Sequence, residues 1–282
     1  MTNSMIQTIV ESGKRAGKYY DPPPNDVPSE TRRLFEEYVG IAPDEVIPYL
    51  AEFRDALWDV YPWPCVGQFK FVSLTLHQQP SYDRIKAIVQ NGGRYLDVGC
   101  AAGQDLRYLL HDSGASSANT FGLDRMGGYI DAAYKYFCDR DTLQTTFIVD
   151  DFLTTSPESA INALRGTVDV LHAGMFLHVF DLEGQHKACE RLIELLAPRP
   201  GSLAVGNSVG CRTASNRIGP EGTIMFRHDD DSFRSMWDEV GRRTGTQWAV
   251  RTHNSEKVGL NGESTHWDDP TTTRLFWEVE RR

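Results

Sequence analysis

Short apolar runs alternate with amphipathic stretches of helical period from about residue 94 to the end of the chain. Strands are predicted at 94–98, 119–123, 145–149, 168–173, 202–206, 247–252 and 272–280. Helices are predicted at 104–111, 127–138, 157–164, 183–196 and 231–243. This strand–helix repeat is the pattern of an α/β fold with a doubly wound parallel sheet. No helical segment of comparable length stands between the last two strands, so an antiparallel pair is expected at the sheet edge. Upstream, 31–38 reads as a helix stopped by Gly40, and a second helical stretch runs over 43–58, where Pro48 conflicts with an unbroken helix. Tyr61-Pro62-Trp63-Pro64 reads as a rigid turn, 67–76 mixes aromatic and apolar residues, and a helix follows over 81–89. Residues 1–30 are polar, carry Pro22-Pro23-Pro24 and Pro28, and read as a mobile arm. The expected division is 1–85, arm and helical lid, followed by 86–282, the sheet domain.

The first predicted strand runs into Tyr95-Leu96-Asp97-Val98-Gly99-Cys100-Ala101-Ala102-Gly103-Gln104-Asp105. Gly99 and Gly103 lack the Cβ that would keep a ligand from the backbone, and glycine takes positive φ freely. A dinucleotide fingerprint needs glycine where Ala101 and Gln104 stand, and a Walker loop needs Gly-Lys-Ser/Thr, so both fail. What remains, Asp97-x-Gly99-x-Ala101-x-Gly103, resembles the first motif of the class I S-adenosylmethionine-dependent methyltransferases, with Ala101 in place of the middle glycine. The resemblance implies that the turn lies along the methionine half of S-adenosyl-L-methionine. The helix opening at Gln104 offers free N–H groups to a carboxylate, and Asp97 is placed to answer an ammonium.

Three further acids follow predicted strands. Asp124 ends Phe121-Gly122-Leu123-Asp124 and suits bidentate bonds to ribose hydroxyls. After the third strand the family places an acid on the adenine amino group and an apolar side chain on its ring. Asp151-Phe152 fits best there and Asp150 is the alternative. Taken singly, each acid also reads as a helix cap or turn residue. After the fourth strand, His172-Ala173-Gly174-Met175-Phe176-Leu177-His178-Val179-Phe180-Asp181 faces the transferred methyl. His172 is expected beside the cofactor, His178 as an orienting or basic group, and Met175 and Phe176 along the substrate pocket. Past the fifth strand, Arg212 and Arg227 are candidate carboxylate clamps and His228 a second candidate base. Tyr61, Phe69 and Phe71 would form a lid or pocket wall. Asp229, Asp230 and Asp231 read as the start of a helix, and no metal site is expected.

Composition narrows the class. The 282 residues carry a formal net charge of −10, and the basic residues are scattered, which argues against a nucleic-acid groove. No apolar stretch reaches membrane-spanning length and no signal peptide is seen, so no membrane partner is expected. Five cysteines without C-x-x-C spacing read as reduced thiols of a cytoplasmic protein.

A narrower resemblance rests on Tyr61-Pro62-Trp63-Pro64-Cys65-Val66-Gly67, Gly103-Gln104-Asp105-Leu106-Arg107, His178-Val179-Phe180-Asp181, Met225-Phe226-Arg227-His228 and Trp237-Asp238-Glu239-Val240-Gly241. Together with the glycine turn, these are similar to the fungal carboxyl O-methyltransferases of austinol-type meroterpenoid biosynthesis, from about residue 41 to 280. That resemblance implies a seven-stranded Rossmann-like methyltransferase sheet with an antiparallel edge strand and an N-terminal helical extension. It also implies methyl ester formation on a small hydrophobic acid, with a homodimer compatible. Two alternatives stay open: methylation of a phenol or enol with a histidine base, and a cyclase or isomerase built on the same fold.

Overall fold

A computed structural model describes residues 15, 19–219, 222–256 and 269–282. Most of the expected N-terminal arm, 1–14 and 16–18, lies outside the described residues, as does 257–268 between the last two strands.

The strands are β1 (Tyr95–Val98), β2 (Thr120–Asp124), β3 (Thr146–Val149), β4 (Val170–Gly174), β5 (Leu203–Cys211), β6 (Ser215–Ile218), β7 (Ile224–Arg227), β8 (Trp248–Ser255) and β9 (Thr272–Arg281). Seven of them form one sheet in the order β3-β2-β1-β4-β5-β9-β8. The first five run parallel; β9 is antiparallel to both β5 and β8. The antiparallel strand is therefore second from the edge, and β8 holds the edge itself. The chain order reverses between β1 and β4, and at such a switch point an open α/β sheet has its ligand crevice.

The helices are α1 (Ser29–Arg33), α2 (Val46–Val60), α3 (Pro64–Gly67), α4 (Tyr82–Gln90), α5 (Gln104–Ser113), α6 (Gly127–Phe137), α7 (Leu182–Leu195) and α8 (Asp230–Thr244). Every residue of β1 is buried, as a parallel strand covered on both faces must be. One core sets Leu96, Leu171 and Trp277 against Leu192 of α7 and Trp237 of α8. A second, on the opposite face, joins Tyr95, Val170 and Leu203 to Ile85 of α4 and Leu106 of α5. A third belongs to the N-terminal helices, whose Leu34, Phe35, Leu50 and Phe53 pack on α6. Phe53 stacks on Tyr136 with centroids 4.7 Å apart, and Phe35 on Phe137 at 5.4 Å. Helix α4 runs across residue 85, where the division between lid and sheet domain was expected.

Several sequence expectations are corrected. Pro48 does not interrupt α2, because it occupies the third helical position, where no intrahelical N–H bond is due. The helix expected at 31–38 begins as α1 and continues as a π-helical turn, Leu34–Val39, stopped by Gly40 at φ +87°. The helix expected at 157–164 is only a short 3-10 turn, Ala160–Leu164. There Asn162 donates to the carbonyls of Ser156 and Pro157, and Ser159 donates to Asp150, so side chains take over backbone bonds a helix would need. Strand β5 extends five residues past its expected end because β9 pairs with it from Leu203–Glu280 to Cys211–Thr272. Residues 207–211, past the expected strand end, are thus sheet. The segment around Met225, for which no strand was expected, contributes the β6–β7 hairpin. Asp229 caps α8 as expected, accepting from Ser232 N at 2.9 Å.

No helix of the described residues is long and apolar enough to cross a membrane. Among those residues no cluster of His, Cys, Asp and Glu could hold a metal ion.

Candidate active site

The turn after β1 is a chain of left-handed residues: Gly99 at φ +66°, Ala101 at +48° and Gly103 at +60°. A Cβ on Gly99 would stand 2.7 Å from the Phe176 ring. Asp124, at the tip of β2, accepts from Ala101 N and from Met126 N, each at 2.8 Å. Burial raises the Asp124 carboxyl above its usual range, opposed by those two N–H bonds. A carboxylate has about four lone-pair sites, so two remain for hydroxyls. Gln104 opens α5, and its side-chain oxygen is buried with no hydrogen-bond partner.

At the tip of β3, Asp150 accepts from Ser159 Oγ and from Asp151 N. Asp151 is exposed and accepts from Leu153 N at 2.9 Å, while Phe152 is buried and meets Phe176 edge-on at 5.3 Å. Phe176 meets Phe180 in the same way, also at 5.3 Å. These aromatic rings link the tip of β3 and the turn to the segment after β4.

Asp97 is bonded to the neighbouring strand. It lies in the sheet register opposite His172 of β4, and its Oδ1 is 2.9 Å from His172 Nδ1. Both side chains are buried. Burial raises the Asp97 carboxyl, and although burial works against a charge on His172, Asp97 outweighs it and holds the imidazole above its usual value. His172 Nε2 is left without a hydrogen-bond partner.

Past β4, Met175 takes φ +53°. Its N–H is fixed by Asn207 of β5, through the backbone oxygen at 2.8 Å and Oδ1 at 3.0 Å. A non-glycine residue held there stores roughly 1–3 kcal/mol of strain, the kind of expenditure that clusters at functional sites. Arg274 of β9 donates to Met175 Sδ. His178 follows in a 3-10 turn, Leu177–Val179. Its pKa is driven down to about 3 by burial and by the positive charges of Arg227, Arg274 and Lys70. Three cations, from β7, β9 and the N-terminal segment, thus act on this imidazole.

That N-terminal segment is fastened to the turn. Asp105, one residue into α5, accepts from Thr75 N at 2.8 Å and Leu76 N at 2.9 Å. Tyr129 of α6 donates to the carbonyl of Tyr61 at 2.5 Å, and the Tyr61 ring rests on Trp63. Phe69 and Phe71 lie within the N-terminal core: Phe71 meets Phe53 edge-on, and the Arg54 guanidinium lies 4.6 Å over Phe69. Arg212 is exposed and pairs with Glu256 at 2.6 Å. Arg227 donates to Thr272 Oγ1 at 3.0 Å. His228 sits in the cap of α8, bonded to Ser232 Oγ and packed between Phe226 and Phe233. Burial lowers its pKa to about 4.

The structure therefore brings together Gly99, Ala101, Gly103, Gln104, Asp124, Phe152 and Phe176 at the turn, and Met175, His178 and Arg227 beside it. It directs Arg212 to Glu256 and His228 into the α8 cap. Lys70, Arg274 and Asn207 were missed as site residues. Arg274 had a signal, a lone arginine immediately before the apolar run Leu275-Phe276-Trp277, and Lys70 had a weaker one between Phe69 and Phe71.

A mixed sheet with this strand order, a left-handed glycine turn after β1 and an acid at the tip of β2 define a class I S-adenosylmethionine-dependent methyltransferase. A family model described as "Meroterpenoid methyltransferase N-terminal domain" matches residues 19–72. The chain is 39% identical to O-methyltransferase atr3 of Stereocaulon alpinum, over 98% of this chain and 79% of that one. It is 37% identical to O-methyltransferase phiE of a fungal species, covering 89% and 87%. Against the Asnovolin E/Chermesin D methyltransferase nvfJ of Aspergillus novofumigatus it is 32% identical, covering 86% of each. The protein belongs to this family of fungal meroterpenoid-type methyltransferases. Among solved structures, a SAM-dependent methyltransferase of Leishmania major shares the fold at TM-score 0.52, with 11% identity over 95% of this chain and 88% of that one.

Proposed function

We propose that the protein forms a methyl ester on a carboxylic acid of a small, largely apolar metabolite, with S-adenosyl-L-methionine as the methyl donor. The observation that carries this reading is that Arg274 reaches Met175 Sδ past β4, and that it, Arg227 and Lys70 all act electrostatically on the buried His178. A cationic enclosure at the methyl-transfer end of the turn favours an acceptor that arrives as an anion. A carboxylate, with a reference pKa of about 4, is ionised at neutral pH and needs no base.

The basicity of His178 supports the same choice. A general base works best with a pKa near the operating pH, and an imidazole with a pKa of about 3 is a poor acceptor for a phenolic proton. The bound cofactor supplies an electrophilic methyl group on a sulfonium. In this reading the arginines and Lys70 hold the carboxylate, while Phe152, Phe176 and Phe180 exclude water. Charge is neutralised as the methyl moves, so a dry, aligned pocket supplies much of the rate.

The test uses donor labelled in the methyl group and a panel of aryl and terpenoid acids with matched phenols. Label released as volatile methanol by mild base identifies an ester. Label that stays on the product through base treatment would show an ether and overturn the carboxylate reading.

A further inference from the structure

Arg107 is fully buried on α5, four residues past Gly103. Its Nη1 donates to the carbonyls of Ala102 at 2.7 Å and Gly103 at 3.4 Å, from beneath the turn. Its other edge makes a two-point pair with Asp139: Nε to Oδ2 at 2.6 Å and Nη2 to Oδ1 at 3.0 Å. The plane of the guanidinium lies 4.4 Å from the Phe137 ring centre. Asp139 Oδ2 also accepts from Tyr38 OH at 2.8 Å. Tyr38 lies in the π-helical turn of the N-terminal unit, and such turns recur at functional sites.

These contacts form one continuous line, Tyr38–Asp139–Arg107–Ala102/Gly103. A trans peptide sets N–H opposite C=O. The Gly103 carbonyl accepts from Arg107 N at 3.1 Å and also from Arg107 Nη1, and the Gln104 N–H is turned to the opposite side, the side of the turn a ligand would occupy.

We infer that Arg107 is a positioning residue for the cofactor turn and that Tyr38 makes the N-terminal helical unit part of the cofactor site. The inference rests on the methyltransferase class and not on the nature of the acceptor, so a failure of the carboxylate reading leaves it standing. The experiment is calorimetric titration of the full chain with S-adenosylhomocysteine, for wild type, Tyr38→Phe, Arg107→Lys and a control, Tyr49→Phe. Tyr49 OH donates to Tyr136 O at 2.7 Å across the same packing between N-terminal unit and α6 but has no link to Arg107. Tyr38→Phe keeps the ring and its contacts with Phe137 and His111. It should weaken binding about fivefold, the equivalent of one hydrogen bond. Arg107→Lys, which loses the planar fork, should weaken it about tenfold or more. KM for the donor should rise in parallel while kcat at saturating donor stays within about twofold, the pattern of lost ground-state binding. Tyr49→Phe should lower Tm and leave the binding constant unchanged. Unchanged binding in folded Tyr38→Phe and Arg107→Lys would overturn the inference. So would losses in all three variants that simply follow their Tm.

Discussion

The Phe176 ring occupies the space that a side chain on Gly99 would need, with 2.7 Å between a built Cβ and Phe176 Cδ2. Gly99 also sits at φ +66°, which disfavours an L side chain by roughly 1–2 kcal/mol. Gly99→Ala should therefore lose about 1–2 kcal/mol of stability in urea denaturation and bind S-adenosylhomocysteine more weakly. Adding Phe176→Leu should restore part of the loss, since it trims the colliding ring. No restoration would mean that backbone conformation alone accounts for the glycine.

Ala101 is the converse case, a side chain where the backbone favours none, at φ +48°. Its N–H is held by Asp124. Ala101→Gly keeps that bond and relieves the left-handed penalty, offset in part by glycine's greater unfolded freedom. A gain of up to about 1 kcal/mol is expected in the urea midpoint at unchanged slope. A loss of stability would show that the Ala101 methyl packs favourably in the turn.

Stability should fall in mild acid for a specific reason. Burial lowers the pKa of His178 to about 3 and of His228 to about 4. An unfolded histidine titrates near 6.5. Between those folded values and about 6.5 the unfolded chain binds more protons, so stability rises with pH across that window and is complete above it. Each group can contribute a slope of up to about 1.4 kcal/mol per pH unit. The double variant His178→Gln, His228→Gln should show a flatter dependence of Tm between pH 4 and 6.5; a slope equal to wild type would assign the acid sensitivity to carboxylates instead.

Asp105 fastens the N-terminal segment to α5 through Thr75 N and Leu76 N. Asp105→Ala leaves two buried N–H groups without that partner, a loss of roughly 2–4 kcal/mol. If the contact holds the segment down, limited proteolysis should begin near residues 70–80 in the variant at a temperature where wild type resists. Equal resistance in the two proteins would place the anchoring in the aromatic packing of Phe35 and Phe53 on α6.

The succession of strands and helices and the cofactor turn were legible because both are local: apolar runs end in acids, and a glycine pattern permits few ligands. What escaped was decided by distant partners. The fifth strand was expected to end at Gly206, yet β9 pairs with the chain through Gly210 and Cys211 from the far end of the sequence. The bond between Asp97 and His172 was not legible, because it depends on the register of β1 against β4. Phe69 and Phe71 read as pocket wall because aromatic composition does not distinguish a lid from a core, and the partner that settles them, Phe53, comes from α2. Arg274 and Lys70 gain their meaning only when β9 and the N-terminal segment meet the tip of β4.

His178 separates the two acceptor chemistries most directly. Its imidazole stands among Lys70, Arg227 and Arg274, and a positive charge on it would be opposed by all of them. Its lowered pKa keeps it neutral at pH 7, and under the proposed carboxylate reading its role is that of a hydrogen-bonding neighbour to the acceptor. Glutamine keeps that capacity and removes the basic nitrogen. With an acid acceptor, His178→Gln should change kcat less than about tenfold, and kcat/KM should show no pH limb attributable to a histidine between pH 6 and 8. General-base catalysis is worth about 100- to 10,000-fold. A loss of that size in the glutamine variant, with the limb present in wild type and absent in the variant, would make His178 a base and return the acceptor to a phenol or enol.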